Sequence, residues 1–210
     1  MQPTVISLCC GAGGLDLGFE RAGFEMIWGI DIDKDSCLSH NKNFLNEVVN
    51  GDVFHVDIDL IPKSDLIIAS LPATTFSLSG GYSYKSIFAD KGILQYKDRI
   101  FEIVQNNKPI AFLIEGHKTF LKEHMFNDYL ARLNSINYQI SYEILNTKDY
   151  GIAQNKERLI IVGIKKQLNV SFEFPLKHPE NVTVKDVIKN LDHIDYENRK
   201  KIYFKTLERI

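Results

Sequence analysis

The sequence predicts an α/β fold in which a mostly parallel sheet is covered by helices on both faces. Three observations predict it. Short apolar runs of strand length alternate with stretches of helical spacing, the pattern of βαβ units. A glycine cluster, Gly11, Gly13 and Gly14, stands directly between the first strand-like run and the first helix. A carboxylate, Asp31, ends the second strand-like run about 20 residues after the glycines, where a nucleoside-binding α/β fold places an acceptor for ribose hydroxyls.

The elements follow in order. Thr4 to Leu8 reads as a strand, Leu15 to Ala22 as a helix with Gly23 as its stop, and Met26 to Ile30 as a second strand. Asp35 to Phe44 has helical spacing, and Asp65 to Ala69 is again apolar and strand-like. Ile93, Tyr96, Ile100, Phe101 and Val104 recur at helical intervals. Ile110 to Ile114 is a strand, Phe120 to Ile136 is mostly helical, and Ile140 to Leu145 and Arg158 to Ile164 read as two late strands. After Lys165 the character changes. Phe172, Phe174 and Pro175 mix with charged stretches, and residues 193–210 have the pattern of a terminal helix, either docked on a partner or solvated on the same domain.

Composition sets the outer limits. The chain has 210 residues, enough for one domain or one domain with an extension, with 44% hydrophobic and 25% charged residues. Its net charge of −2 carries no bulk basic signature for nucleic acid, although a local basic face is compatible with that sum. Three cysteines, an odd number, argue against a disulfide framework. No apolar run is long enough to span a membrane, and no basic-then-apolar leader opens the chain. A cytoplasmic protein is expected.

Several residues are candidates for a ligand site. Glycines at 11, 13 and 14 let the backbone turn tightly and approach a ligand; a glycine turn with no ligand is the plain alternative. Asp33 competes with Asp31, and either is also suited to cap the following helix. Asp52, in Asn50-Gly51-Asp52-Val53, is well placed for an amino group of a base, or simply forms a turn. No Cys-x-x-Cys or His-x-x-x-His pair suggests a metal.

Taken together, the motifs resemble those of the DNA cytosine-C5 methyltransferases. "LCCGAGGLDLGFERAGF" resembles the first motif of that family, "GIDIDKDSCLSHNKNF" the second and "GDV" the third. "LPATTFSLSGG" resembles the fourth, "ADKGILQY" the fifth, "AFLIEGHKTFL" the sixth and "DYGIAQNKERLIIVGI" the eighth. Seven motifs in one order, over residues 4 to about 165, are far more specific than any single one. The resemblance implies a Rossmann-like fold that binds S-adenosylmethionine (AdoMet) and releases S-adenosylhomocysteine. It implies a cofactor-binding, catalytic-type domain over residues 1–165 and an extension over 166–210. It places the cofactor against Cys9, Cys10, Gly11, Ala12, Gly13, Gly14 and Leu15, then Asp31 with Ile32, Asp52 with Val53, Ser70, Pro72 and Leu94. At Cys9 the family usually has a phenylalanine covering the adenine, so cysteine offers less stacking surface.

The catalytic motifs depart from the family pattern. Cytosine C5 becomes nucleophilic enough to accept a methyl group only after a cysteine thiolate adds to C6, with a glutamate assisting near N3. The target base must leave the duplex to reach such a pocket. Here Ala73 stands at the nucleophile's position and Thr74 at that of the following glutamine. Glu115 keeps the carboxylate, while Gly116 and His117 replace Asn and Val. In the eighth motif Gln154 and Arg158 are kept, and Lys156 replaces an arginine, retaining charge but losing the bidentate fork. His117 reads as a partly exposed loop histidine, with a role as base the alternative. Thr74, Thr75 and Ser77 are poor nucleophiles without activation. An engineered Cys-to-Ala change would alter one residue; departures across several motifs point to natural loss.

The resemblance therefore predicts an AdoMet-binding homologue that does not methylate alone, acting as a non-catalytic subunit. The alternative is an active enzyme, or one chain of a split one, in DNA methylation and restriction–modification. A chain ending at Ile210 is expected to lack the base-reading domain that relatives carry after the eighth motif. Double-stranded DNA and a second subunit carrying that part are the expected partners.

Overall fold

The structure is a computed structural model that describes residues 2–72, 93–122, 125–178 and 182–189, with the backbone alone at 93, 94 and 122. It falls into two compact units, one formed by residues 1–145 with 157–174 and the other by 146–156 with 175–210.

The first unit carries the sheet. Its strands are β1 (Thr4–Leu8), β2 (Glu25–Asp31), β3 (Val49–Asn50), β4 (Leu66–Ser70), β5 (Ala111–Gly116), β6 (Tyr138–Asn146) and β7 (Glu157–Lys165). Their spatial order is β3-β2-β1-β4-β5-β7-β6. β1 runs parallel to both β2 and β4, β3 runs parallel to β2, and β5 runs parallel to β4. β7 is antiparallel to β5 and inserts between it and β6. The chain thus builds outward from β1 in one direction, then returns to lay β4 on its other side. That reversal opens a crevice at the carboxyl ends of the strands.

Local sequence explains these elements. Val5, Ile6 and Leu8 in β1, and Ile67 and Ile68 in β4, are wholly buried, as strands covered on both faces must be. Among the described residues this unit has four α-helices: α1 (Gly14–Arg21), α2 (Lys34–Asn43), α3 (Ile93–Asn107) and α4 (Phe126–Ser135). α3 buries Tyr96, Ile100, Ile103 and Val104, an apolar stripe at i, i+4, i+7 and i+8. At Gly163 on β7 a Cβ would come within 2.2 Å of the Phe112 ring, so only glycine lets β5 and β7 pair there. The stretch read as helical from Phe120 to Ile136 divides into a 3-10 turn, Lys118–Lys122, and α4. The short strand β3, between α2 and β4, is an element that the apolar pattern did not reveal.

The second unit contains the 3-10 turn Thr147–Tyr150 and the short helix α5 (Val184–Ile188), whose first turn is closed by a Thr183–Asp186 capping box. Asp149 accepts the His178 N–H at 2.6 Å and pairs with Lys177 at 2.8 Å. The terminal helix read over residues 193–210 lies outside the described residues.

Candidate functional site

The loop joining β1 to α1 is the first wall of the site. Cys9, Gly11 and Gly13 all have left-handed backbone angles, with φ of 54°, 56° and 90°. The loop is tied back by Gly13 N–H to the Cys10 carbonyl at 3.1 Å and Cys10 N–H to the Ile30 carbonyl at 3.2 Å. Asp31 at the end of β2 completes the tie. One of its carboxylate oxygens accepts the Gly11 N–H at 2.7 Å and the other accepts the Asp33 N–H at 2.8 Å. A carboxylate has about four acceptor positions, so Asp31 keeps capacity for ligand hydroxyls. Asp33 is the residue that caps α2, accepting from Ser36 N–H at 2.9 Å.

A buried polar bolt holds this loop from behind. Asp16 on α1 accepts from the Ser7 hydroxyl at 2.7 Å and meets His40 Nε2 of α2 at 2.8 Å. Burial pushes the Asp16 carboxyl up, and the Ser7 and His40 hydrogen bonds pull it back in part. Cys10 brings its sulfur to the same place, so that ligand-type atoms of Cys10, Asp16 and His40 lie within 4.8 Å of one another. Both Asp16 oxygens are already engaged, and the cluster serves here to join β1, α1 and α2. Sequence spacing did not expose it, because its members are 6 and 24 residues apart.

In front of the loop lies a cavity of about 280 Å³. Its lining includes Cys9, Asp31, Ile32, Asp52 and Val53, together with Ser70, Pro72, Glu115 and Arg158. Asp52 follows β3, and its carboxylate turns back to accept the Phe54 N–H at 3.0 Å, so the turn and the cavity wall are the same residue. Glu115 is the last but one residue of β5, beside β7, where Arg158 Nε donates to it at 2.8 Å. Ser70 Oγ stands 3.5 Å from the other Glu115 oxygen. His117 also lines the cavity, with its Nδ1 2.9 Å from Thr119 Oγ1 and 3.3 Å from the Thr119 N–H nitrogen. Burial, then Arg158 and Lys118, hold its pKa below 6.5, so the ring is neutral at neutral pH. Burial, then Asp31 and Asp52, push the Cys9 thiol up, so no thiolate stands in the cavity wall.

The sequence-predicted residues sort as follows. Cys9, Asp31, Ile32, Asp52, Val53, Ser70, Pro72, Glu115 and Arg158 come together around one cavity. Gly11, Ala12, Gly13, Gly14 and Leu15 shape the loop but are not among its lining residues, and Cys10 packs behind it against Cys37 and Val48. Leu94 sits in the first turn of α3. Gln154 and Lys156 belong to the second unit, where the Gln154 carbonyl accepts from Thr147 Oγ1. Ala73 and Thr74 lie outside the described residues. Tyr96, Gly51 and Leu71 also line the cavity and were not singled out from the sequence. Tyr96 was hidden in the apolar stripe of α3, where its spacing reads as core.

This sheet order, with a carboxylate-lined cavity over the carboxyl ends of the parallel strands, defines a Rossmann-like domain of the AdoMet-dependent methyltransferase type. The profile of the C-5 cytosine-specific DNA methylases matches residues 3–209, and the chain belongs to that family. It is 33% identical over 200 residues to the type II methyltransferase M.Bsp6I of Bacillus sp. (strain RFL6), covering 91% of this chain and 62% of that protein. It is 35% identical over 193 residues to M.FnuDI of Fusobacterium nucleatum, covering 89% and 55%. A solved DNA modification methyltransferase encoded within an E. coli prophage superposes with a TM-score of 0.73 at 27% identity, over 89% of this chain and 54% of that one. The chain therefore spans a little over half the length of these relatives. Among the described residues no helix is long and apolar enough to cross a membrane.

Proposed function

We propose that this chain is a DNA cytosine-C5 methyltransferase-like protein that binds AdoMet and does not methylate DNA by itself. The observation that carries the reading is the convergence of Asp31, Asp52 and the Glu115–Arg158 pair on one cavity at the switch point of the sheet. Residues 1–165 are the cofactor-binding, catalytic-type domain, and 166–210 an extension of it. Asp31 takes the ribose hydroxyls, Asp52 takes the adenine amino group, and Cys9, Ile32 and Val53 line the apolar part. AdoMet, when bound, supplies an electrophilic methyl group.

Glu115 and Arg158 then hold a flipped-out base by charge-assisted hydrogen bonds. What is missing is the nucleophile. Ala73 has neither a lone pair nor an ionisable proton, and cannot add to cytosine C6. Cys9 and Cys10 do not replace it, since both thiols are pushed up by burial and neither is on the loop after β4. Double-stranded DNA is the proposed substrate surface, and a second subunit carrying base-reading residues the proposed partner.

The test has two arms. Isothermal titration of the chain with AdoMet and S-adenosylhomocysteine is expected to show micromolar binding. Transfer of labelled methyl groups to DNA is expected to be absent, and to stay absent with Ala73→Cys alone, because Thr74, Gly116 and Lys156 also depart from the pattern. Transfer by the unmodified chain would establish the alternative, an active methyltransferase. No binding would leave a scaffold whose cofactor site has decayed.

A further inference from the structure

A second cavity lies at the opposite end of the sheet from the first. Lys165, which ends β7, donates its N–H to the Ile110 carbonyl at 3.0 Å, and Ala111 at the start of β5 pairs with Ile164. This is therefore the amino edge of the parallel strands. The cavity here has a volume of about 530 Å³, in the size range of small-molecule sites. Three segments of chain meet around it: the last turn of α3 with Lys108, the junction of α4 with β6, and the residues at the end of β7. It shares no lining residue with the cavity over the carboxyl ends.

The lining holds two ammonium groups, Lys108 and Lys165, and no carboxylate. Gln105, Asn137 and Gln167 add neutral amides. Lysines beside helix ends commonly do no more than satisfy the last carbonyls. Lys165 does that, its Nζ donating to the Lys108 carbonyl at 2.7 Å, and Lys166 Nζ does the same for the Asn134 carbonyl at 3.0 Å. The Lys108 side chain does not. Among the described residues its ammonium has no hydrogen-bond or ion-pair partner, and neither do the amides of Gln105, Asn137 and Gln167. Lys165 itself keeps two of its three N–H donors. The backbone sharpens the contrast. Lys108 has a φ of 54°, the left-handed conformation in which helices end and which glycine adopts without steric cost. A lysine kept there against the local preference, with its charge unpaired at a cavity, is better explained by a ligand than by the fold.

We propose that this cavity is a second ligand site, one that takes a phosphate group: Lys108 and Lys165 supply the positive charge, and Gln105, Asn137 and Gln167 the neutral donors. Two like charges share one lining with no counter-charge in it, and a tetrahedral oxyanion accepts from several donors at once. The chain as a whole carries −2, so this local excess is not a reflection of bulk composition. The inference does not depend on reading the other cavity as an AdoMet site.

The experiment titrates the ¹⁵N-labelled full chain with inorganic phosphate at constant ionic strength, with potassium chloride as the control, and follows the side-chain amide signals of Gln105, Asn137 and Gln167. Wild type is expected to show saturating shifts in the low-millimolar range with phosphate and none with chloride. Lys108→Gly and Lys108→Gln are titrated in parallel, and thermal unfolding is recorded for each. Lys108→Gly relieves the backbone, so its unfolding midpoint is expected at or above that of wild type, while phosphate binding weakens at least about fivefold. A lysine with only a structural role would not separate those two readouts. Lys108→Gln keeps the side-chain length without the charge and is expected to lose binding by a similar factor, which preserves the test if the glycine alters the turn. Displacement of phosphate by a short DNA duplex at equal salt would assign the bound group to a DNA backbone, and displacement by a phosphate monoester alone would assign it to a small molecule. Shifts that do not saturate, equal shifts with chloride, or wild-type affinity in both Lys108 variants would overturn the proposal.

Discussion

The main-chain N–H of Gly11 donates to the carboxylate of Asp31 across 2.7 Å, joining the glycine loop after β1 to the end of β2. The same carboxylate accepts the Asp33 N–H at 2.8 Å. Asp31 thus shapes the site as well as lining it.

Asp31→Asn is the sharpest probe of that double duty. An asparagine amide keeps one acceptor oxygen and turns a donor toward the other N–H. Binding of S-adenosylhomocysteine is expected to weaken at least tenfold, with a stability loss of about 1 kcal/mol from one unsatisfied N–H. Titration and urea unfolding read the two effects separately. An unchanged affinity would show that Asp31 serves the loop alone.

Gly13 is the residue on which the loop closes. Its φ is +90°, and a Cβ there would stand 2.3 Å from the Phe44 ring and 2.8 Å from Cδ2 of His40. That imidazole is stacked on Phe44 at 4.2 Å and tied to Asp16, so it has little room to retreat. Gly13→Ala is expected to cost about 2–3 kcal/mol, backbone strain plus displacement of a packed ring pair, and to abolish measurable cofactor binding. A variant that unfolds within about 0.5 kcal/mol of wild type would mean that the loop relaxes without harm.

Glu115 and Arg158 form an ion pair in the same cavity wall. Their side chains are 27% and 21% exposed, intermediate between a surface pair and a buried one. A double-mutant cycle with Glu115→Gln and Arg158→Ala is expected to give a coupling of about 1 kcal/mol in urea unfolding. A coupling below about 0.3 kcal/mol would mean that the pair is idle in the folded chain and poised for a ligand alone.

Acid sensitivity should trace to the start of β1. Thr4 donates its N–H and its hydroxyl to Asp65 at 2.8 and 3.0 Å, and these bonds hold the Asp65 carboxyl below its ordinary 3.8. A carboxylate depressed in the folded state stabilises above its unfolded pKa and loses that contribution as pH falls through the folded value. Wild type is therefore expected to exceed Asp65→Asn in stability near pH 7, with the gap closing on acidification below about 3.8. Urea unfolding across that range checks it; a gap independent of pH would contradict the assignment.

Much of this was legible in the chain. Parallel strands buried on both faces read as unbroken apolar runs, which is why Thr4 to Leu8 and Leu66 to Ser70 were found almost to the residue. Asp31 was found because it ends the second strand-like run about 20 residues after the glycines, and Asp52 because it stands in an Asn-Gly-Asp turn. β3 escaped because it has two residues, both exposed, and so leaves no apolar trace. Tyr96 escaped because a cavity-lining aromatic and a core aromatic occupy the same helical position. The Cys10–Asp16–His40 cluster escaped because packing of α2 against the glycine loop, and not spacing, brings its members together.

By itself the sequence determined the α/β class, most of the order of elements and the family resemblance, since these are written in local pattern and motif order. Only the tertiary structure decided that Asp33 caps α2 while Asp31 bridges the loop. It alone showed that Glu115 meets Arg158, 43 residues apart, and that Tyr96 reaches the cavity. The physical reason is that hydrophobic periodicity encodes which face of an element is buried, whereas hydrogen bonds and ion pairs between elements depend on how those faces dock. Docking is a property of the whole sheet, and no short stretch of residues carries it.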